Sequence, residues 1–192
     1  MSNALTAPLT LDSFLAWERE QELRYEFDGV QPIAMTGGSV AHSVIAQNIV
    51  TALGRGLPPG CRTFRGDLKI IVQGRVRYPD AMVTCTPVDD EDDTIPDPVV
   101  VFEVLSPSTA VVDRIVKNDE YRATPSIRHY VMLEQRRMAA TVFSREGEAW
   151  RGQIHVGPTV IPLPAIGATL ALADLYAGVA LRQDDPPDPT FV

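Results

Sequence analysis

The run PVVVFEVL at residues 98–105 constrains this chain more than any other segment. Apolar side chains stand at successive positions there, not at alternate ones, and three of them are neighbouring valines. A strand of that kind has no face to offer water, so it belongs inside a sheet that is covered on both sides. One residue breaks the pattern. Glu103 puts a carboxylate into the run, and that costs several kcal/mol unless the group is paired, protonated or bound to a cation.

The segments around this strand indicate an α/β sheet domain. Residues 10–20 read as a short helix capped by Thr10, with Phe14 and Leu15 inward. YEFDGVQPIAMT reads as a hairpin turning at Asp28-Gly29. Ser39 caps a helix over about 40–54, which Pro58 and Pro59 prevent from continuing. CRTFRGDLKIIV and VRYPDAMVTC pair across a turn at Gln73-Gly74, with a distortion at Pro79, which has no amide hydrogen to give. After the run at 98–105, Ser108 or Thr109 caps a helix reaching about Arg122. RHYVMLEQ, AATVFSRE and RGQIHVG are further strands, and IPLPAIGATLALADLY reads as a loop and a short closing helix. One domain over residues 8–181 is expected, followed by a flexible acidic, Pro-rich tail at 182–192.

The net charge of −8 argues against a general nucleic-acid coat protein, which needs cations to replace phosphate counterions. That acidity is local. The run at 89–93 and the tail residues Asp184, Asp185 and Asp188 account for all of it, leaving the body balanced. Cys61 and Cys85 lack metal-ligand spacing and are expected as reduced thiols. The first residues lack the basic and apolar regions of a secretory signal. The longest apolar stretch, near residue 174, is shorter than the roughly 18 residues of a span. A cytoplasmic protein without membrane association is expected.

Four further residues give Glu103 a chemical context. Asp80 lies in the strand-like run VRYPDAMVTC, and a long loop separates it from Glu103. Two carboxylates from neighbouring strands, directed to one side, suit a hard divalent cation such as Mg²⁺ or Mn²⁺, which prefers oxygen ligands and retains several waters. Asp113, Lys117 and Tyr121 follow at i, i+4 and i+8 and share a helix face. A lysine there has a stem long enough to return its ammonium to the carboxylates. Each residue also has an ordinary reading: Glu103 paired with a core cation, Asp80 as an edge or turn residue, Asp113–Lys117 as an exposed helix pair, Tyr121 as packing.

Taken together, Tyr25-Glu26-Phe27-Asp28-Gly29, His42, Pro79-Asp80, Glu103-Val-Leu-Ser-Pro-Ser-Thr109, Asp113, Lys117, Tyr121 and the strand Arg128–Leu133 resemble the Uma-two family of the PD-(D/E)XK nuclease superfamily. The resemblance spans about residues 8–180. It implies a restriction-endonuclease-like core, a mixed central β-sheet flanked by helices, with a metal site at Asp80 and Glu103. The wider superfamily places its lysine two residues after the acidic residue. Here that position is Leu105, so the role passes to Lys117.

The resulting expectation is a metal-dependent endonuclease that hydrolyses phosphodiester bonds, on DNA if on any nucleic acid. Asp80 and Glu103 hold the cation, Lys117 positions water or stabilises developing charge, and Glu26 adds a water-mediated ligand or a base. Asp113, Tyr121 and His42 support them. Arg62, Arg65, Lys69, Arg75 and Arg77 form a basic run that would contact phosphates, giving an affinity that falls as about the fourth or fifth power of salt. A solvated hairpin face is the plainer account of that run. A homodimer is expected from the resemblance and from the many strand edges. The alternative is a non-catalytic binding or scaffold protein that retains the nuclease fold.

Overall fold

The computed structural model describes residues 9–35, 37–106 and 110–181. The proposed caps Ser108 and Thr109 and the tail 182–192 lie outside them. Thr10 opens α1 (Leu11–Glu18) with a capping box, in which its side chain accepts from the Ser13 amide and the Ser13 hydroxyl oxygen accepts from the Thr10 amide. α1 buries Phe14, which stacks on Phe27. The expected hairpin follows as β1 (Tyr25–Phe27) and β2 (Pro32–Ala34). Its turn is held by Asp28 Oδ1, which accepts from the amides of Val30 and Gln31, with Gly29 at φ 93°. Ser39 caps α2 (Val40–Leu53) by accepting from the His42 amide.

The pairing expected across Gln73-Gly74 is present, but it is divided between two sheets. β3 (Arg62–Arg65), β4 (Ile70–Val72), β5 (Arg75–Arg77) and β6 (Ala81–Thr84) form one long interrupted hairpin. Its tip, β4–β5, joins a four-stranded sheet of order β2-β1-β5-β4, and its base, β3–β6, belongs to the large sheet. The break sets residues 66–69 opposite 78–80, an unequal match that ends the ladder. Pro79 sits in the shorter arm, and a Cβ on Gly66 would lie 3.3 Å from the Pro79 carbonyl oxygen, so the arms approach closely there.

Cys61 and Cys85 form a disulfide, which overturns the expectation of reduced thiols. Arg62 pairs with Thr84, so antiparallel register sets the two cysteines opposite each other at the hairpin's base. A separation of 24 residues hides that proximity in the sequence.

The large sheet is six-stranded and mixed, of order β10-β9-β8-β7-β6-β3. β7 (Pro98–Leu105) runs antiparallel to β6 and parallel to β8 (His129–Glu134), so it is an interior strand, buried as its composition requires. Between β7 and β8 the chain forms one helical stretch: α3 (Ala110–Val112), a π turn (Asp113–Lys117) and α4 (Asn118–Ala123). The Arg145 guanidinium closes that stretch by donating to the carbonyls of Arg122 and Thr124. β9 (Ala139–Glu146) and β10 (Ala149–Val156) complete the sheet.

The segment expected as a loop is instead a hairpin, β11 (Val160–Leu163) and β12 (Ala168–Ala171), before the closing helix α5 (Leu172–Leu175). Alternation explains it, because Ile161, Leu163 and Leu170 point inward, while Gly167 at φ 58° makes the turn. Val100, Phe102 and Val104 of β7 face a core shared with α2, β11–β12 and α5. Val101 and Leu105 face a second core with Tyr121 and Tyr130. Glu103 shares that second face by strand periodicity, which sets it against the helical stretch. Among the described residues, no helix is long and apolar enough to cross a membrane.

Candidate active site

Glu103 is 4% exposed, and two partners hold its carboxylate. Its Oε1 accepts from Lys117 Nζ at 3.1 Å and from the Tyr121 hydroxyl at 2.9 Å. Lys117 Nζ also lies 3.0 Å from Glu26 Oε1 and 3.2 Å from Asp113 Oδ1. The ammonium is therefore enclosed by three carboxylates from three elements: β1, β7 and the π turn. The π turn adds a residue to the helical circuit, a feature that recurs at functional sites. Within it Asp113 and Lys117 lie inward, while Ile115 and Val116 are exposed, as are Val111 and Val112 of α3.

Asp80 arrives from the break in the long hairpin. Its Oδ2 accepts from the Val104 amide at 2.6 Å, so it is tied to β7 beside Glu103. Its Oδ1 is 3.1 Å from His42 Nε2. His42 comes from the first turn of α2, and its ring packs against Gly38, where a Cβ would come within 3.0 Å of it. A cavity of about 370 Å³ opens over these groups, lined by Glu26, His42, Asp80, Glu103, Asp113 and Lys117 together with Tyr78, Ser39 and Gln135.

The charges follow from burial and partners. Burial pushes the Glu103 carboxyl well above its ordinary range, opposed by Lys117 and reinforced by Asp113, Asp80 and Glu26. Burial also acts to lower Lys117, but Glu103, Glu26 and Asp113 outweigh it and hold the ammonium charged. The hydrogen bond to Asp80 raises His42 against the opposing effect of burial. Burial raises the Tyr121 hydroxyl, which remains a donor to Glu103.

The donor set is all oxygen at Asp80 and Glu103, which fits a hard divalent cation. Among the described residues, no three His, Cys, Asp or Glu groups form a ready-made metal cage. A cation that keeps several waters needs only one or two carboxylates.

The structure brings Glu26, His42, Asp80, Glu103, Asp113, Lys117 and Tyr121 into one locality. It does not gather the basic run onto one face. Lys69 is buried between Glu18 at 3.1 Å and Asp93 at 2.9 Å. Arg77 is 1% exposed and bound to Glu120 and Glu26. Both are therefore withdrawn from any phosphate at the surface. Arg75 donates to the Asp28 carbonyl and lies 3.2 Å from Glu120. Arg62 and Arg65 are exposed, the first over the Phe64 ring and the second donating to Gln47.

Two residues of this locality escape a reading of the sequence, and a third, Ser39, is legible there only as a helix cap. Glu120 stands three positions after Lys117, and helical spacing is its available signal. Ser39 and Gln135, joined by a 2.6 Å hydrogen bond across 96 positions, leave no local signal of their contact.

Known proteins place this architecture. A solved structure from Anabaena variabilis, described as a putative nuclease belonging to DUF820, superposes with a TM-score of 0.70 at 20% identity, covering 88% of this chain and 98% of that one. It shares the fold. A Synechocystis protein, slr1290, is 32% identical over 177 residues, covering 90% of this chain and 93% of the relative, and its description assigns no activity. A second Synechocystis protein, sll1609, is 27% identical over 140 residues, covering 69% of this chain and 78% of the relative. The Uma2 family model, described as "Putative restriction endonuclease", matches residues 11–173. That span contains β1, the broken hairpin, β7 and the helical stretch, and so every residue of the cavity: the chain belongs to the Uma2 family of the restriction-endonuclease-like superfamily.

Proposed function

We propose that this protein is a metal-dependent endonuclease that hydrolyses phosphodiester bonds of DNA. The observation that carries the reading is the convergence of Asp80, Glu103 and Lys117 on one cavity from three separate elements. Asp80 and Glu103 would hold Mg²⁺ or Mn²⁺, which when bound acidifies a coordinated water and neutralises phosphate charge. The chain's own groups do the rest. The Val104 amide and His42 hold Asp80 in place, and Tyr121 holds Glu103. Lys117 sets a positive charge beside the reacting phosphate, where it stabilises negative charge that develops in the transition state. The nuclease class is supported by the description of the Uma2 family as "Putative restriction endonuclease" and by the shared fold of the Anabaena protein, itself described as a putative nuclease.

The test is cleavage of supercoiled plasmid with Mn²⁺ or Mg²⁺. Activity is expected in the wild type and absent in Asp80→Ala and Glu103→Ala, and unchanged activity in either variant ends this assignment. One observation favours the second reading, a non-catalytic scaffold that retains the fold: three carboxylates already neutralise Lys117. Calorimetric titration with Mn²⁺ separates the two. Binding that Asp80→Ala removes supports the enzyme, and no binding at millimolar metal supports the scaffold.

A further inference from the structure

Behind the cavity lies a chain of four alternating charges, Glu120–Arg77–Glu26–Lys117. The Arg77 guanidinium, 1% exposed, forks onto Glu120 through Nε and Nη2, both at 2.7 Å. Its remaining nitrogen, Nη1, reaches Glu26 Oε2 at 3.2 Å. The other Glu26 oxygen, Oε1, lies 3.0 Å from Lys117 and accepts from the Tyr78 amide at 3.4 Å. Lys117 and Glu120 belong to one helical stretch, Arg77 and Glu26 to paired strands of the smaller sheet. Neither Arg77 nor Glu120 lines the cavity, so neither touches what enters it.

This arrangement exceeds what packing requires. Apolar side chains of similar volume commonly fill a buried ion-pair site without loss of stability. A lysine stem has four rotatable bonds, and its ammonium stays put only where fixed acceptors hold it. Glu26 is such an acceptor, and the planar fork of Arg77 fixes Glu26 in turn. Both of its oxygens face full cations, Arg77 and Lys117, whereas those of Asp80 face a backbone amide and His42, so Glu26 is the carboxylate already neutralised.

We propose that Arg77 is a positioning residue: acting through Glu26, it holds the Lys117 ammonium beside Glu103, and Glu26 serves as a clamp, not as a metal ligand or base. This rests on the nuclease reading and departs from the role expected of Glu26.

The experiment compares wild type, Arg77→Lys, Arg77→Met and Glu26→Gln in the full chain. Mn²⁺-dependent plasmid nicking gives kcat and KM, calorimetry gives the Mn²⁺ Kd, and a ¹H–¹⁵N spectrum of lysine ammonium groups reports Lys117, assigned by its absence in Lys117→Met. Arg77→Lys and Glu26→Gln are expected to lower kcat at least tenfold, with plasmid KM and Mn²⁺ Kd within threefold of wild type. Arg77→Lys should retain more activity than Arg77→Met, because it keeps the charge and loses only the fork. Wild-type kcat in folded Arg77→Lys overturns the proposal, as does a Mn²⁺ Kd raised more than threefold in Glu26→Gln. If the wild type does not nick plasmid, the nuclease reading fails and the positioning claim is judged on the spectrum. A shifted or faster-exchanging Lys117 resonance in both conservative variants upholds it, and an unchanged resonance refutes it. Should Arg77→Lys fail to fold, Glu120→Gln takes its place under the same criteria.

Discussion

At the residue scale, two groups show how burial sets chemistry. Tyr121 is fully buried, packs edge-on against Tyr130, and gives its one hydroxyl proton to Glu103. Tyr121→Phe keeps the ring and loses the donor, so a loss of about 1 kcal/mol is expected in urea unfolding. A loss near zero would mean that Lys117 alone satisfies the carboxylate. His129 concerns pH. Burial lowers its pKa; Nδ1 lies 2.9 Å from the Ser144 hydroxyl oxygen, and Nε2 accepts from the Ala165 amide. The unfolded chain takes up a proton as pH falls past about 6.5, and the folded protein resists it. Stability contributed by the neutral ring is therefore present above that pH and lost as pH drops through the depressed folded value. His129 by itself lowers the urea midpoint at pH 5.5 relative to pH 7.5, while the raised groups His42 and Glu103 act the other way, so the test is a difference: His129→Gln should lose less stability over that interval than the wild type. An equal slope in the variant would assign the acid loss to other groups.

At the element scale, the π turn sets the phase between the two ends of the helical stretch. Asp113 and Lys117 share a face by their i, i+4 spacing, with Ile115 and Val116 outward, and the extra residue of the turn shifts the phase of α4 relative to α3. Deleting Ile115, which is 60% exposed, should restore a regular α-helix and rotate everything on one side of it by about 100°. The expected outcome is native-like circular dichroism with Mn²⁺-dependent plasmid nicking reduced at least tenfold. Retained nicking would show that the turn does not position the cavity groups. The broken hairpin follows similar logic. Pro79 was legible as a distortion, but its consequence was not, because continuous pairing of the two arms would have kept Asp80 in a regular strand. The break frees Asp80 to reach the Val104 amide.

At the scale of the whole molecule, the disulfide closes the base of the hairpin that carries Asp80. A cross-link over a 24-residue separation restricts the unfolded chain and is worth about 3 kcal/mol. Reduction, or the pair Cys61→Ser and Cys85→Ser, is expected to lower unfolding free energy by about that amount. No change in the urea midpoint would show that the cross-link does not contribute. The net charge of −8 belongs largely to a loop and to residues beyond those described, so it says little about the cavity. The cavity's character depends instead on carboxylates drawn from both sheets and the helical stretch.

The sequence by itself determined the interior strand, its anomalous Glu103, the two capped helices, the Asp28-Gly29 turn and the helix face of Asp113, Lys117 and Tyr121. All of these are written in local periodicity and in the stereochemistry of single residues. Only the tertiary structure decided which charges are neutralised. Arg77 and Lys69 read as a solvated basic face because the acids that bind them, Glu120, Glu26, Glu18 and Asp93, lie from 24 to 51 positions away in the chain. An ionised side chain enters a protein interior only where opposite charge meets it. Which charges meet is settled by how the two sheets and the helical stretch fold together, and no stretch of neighbouring residues contains that information.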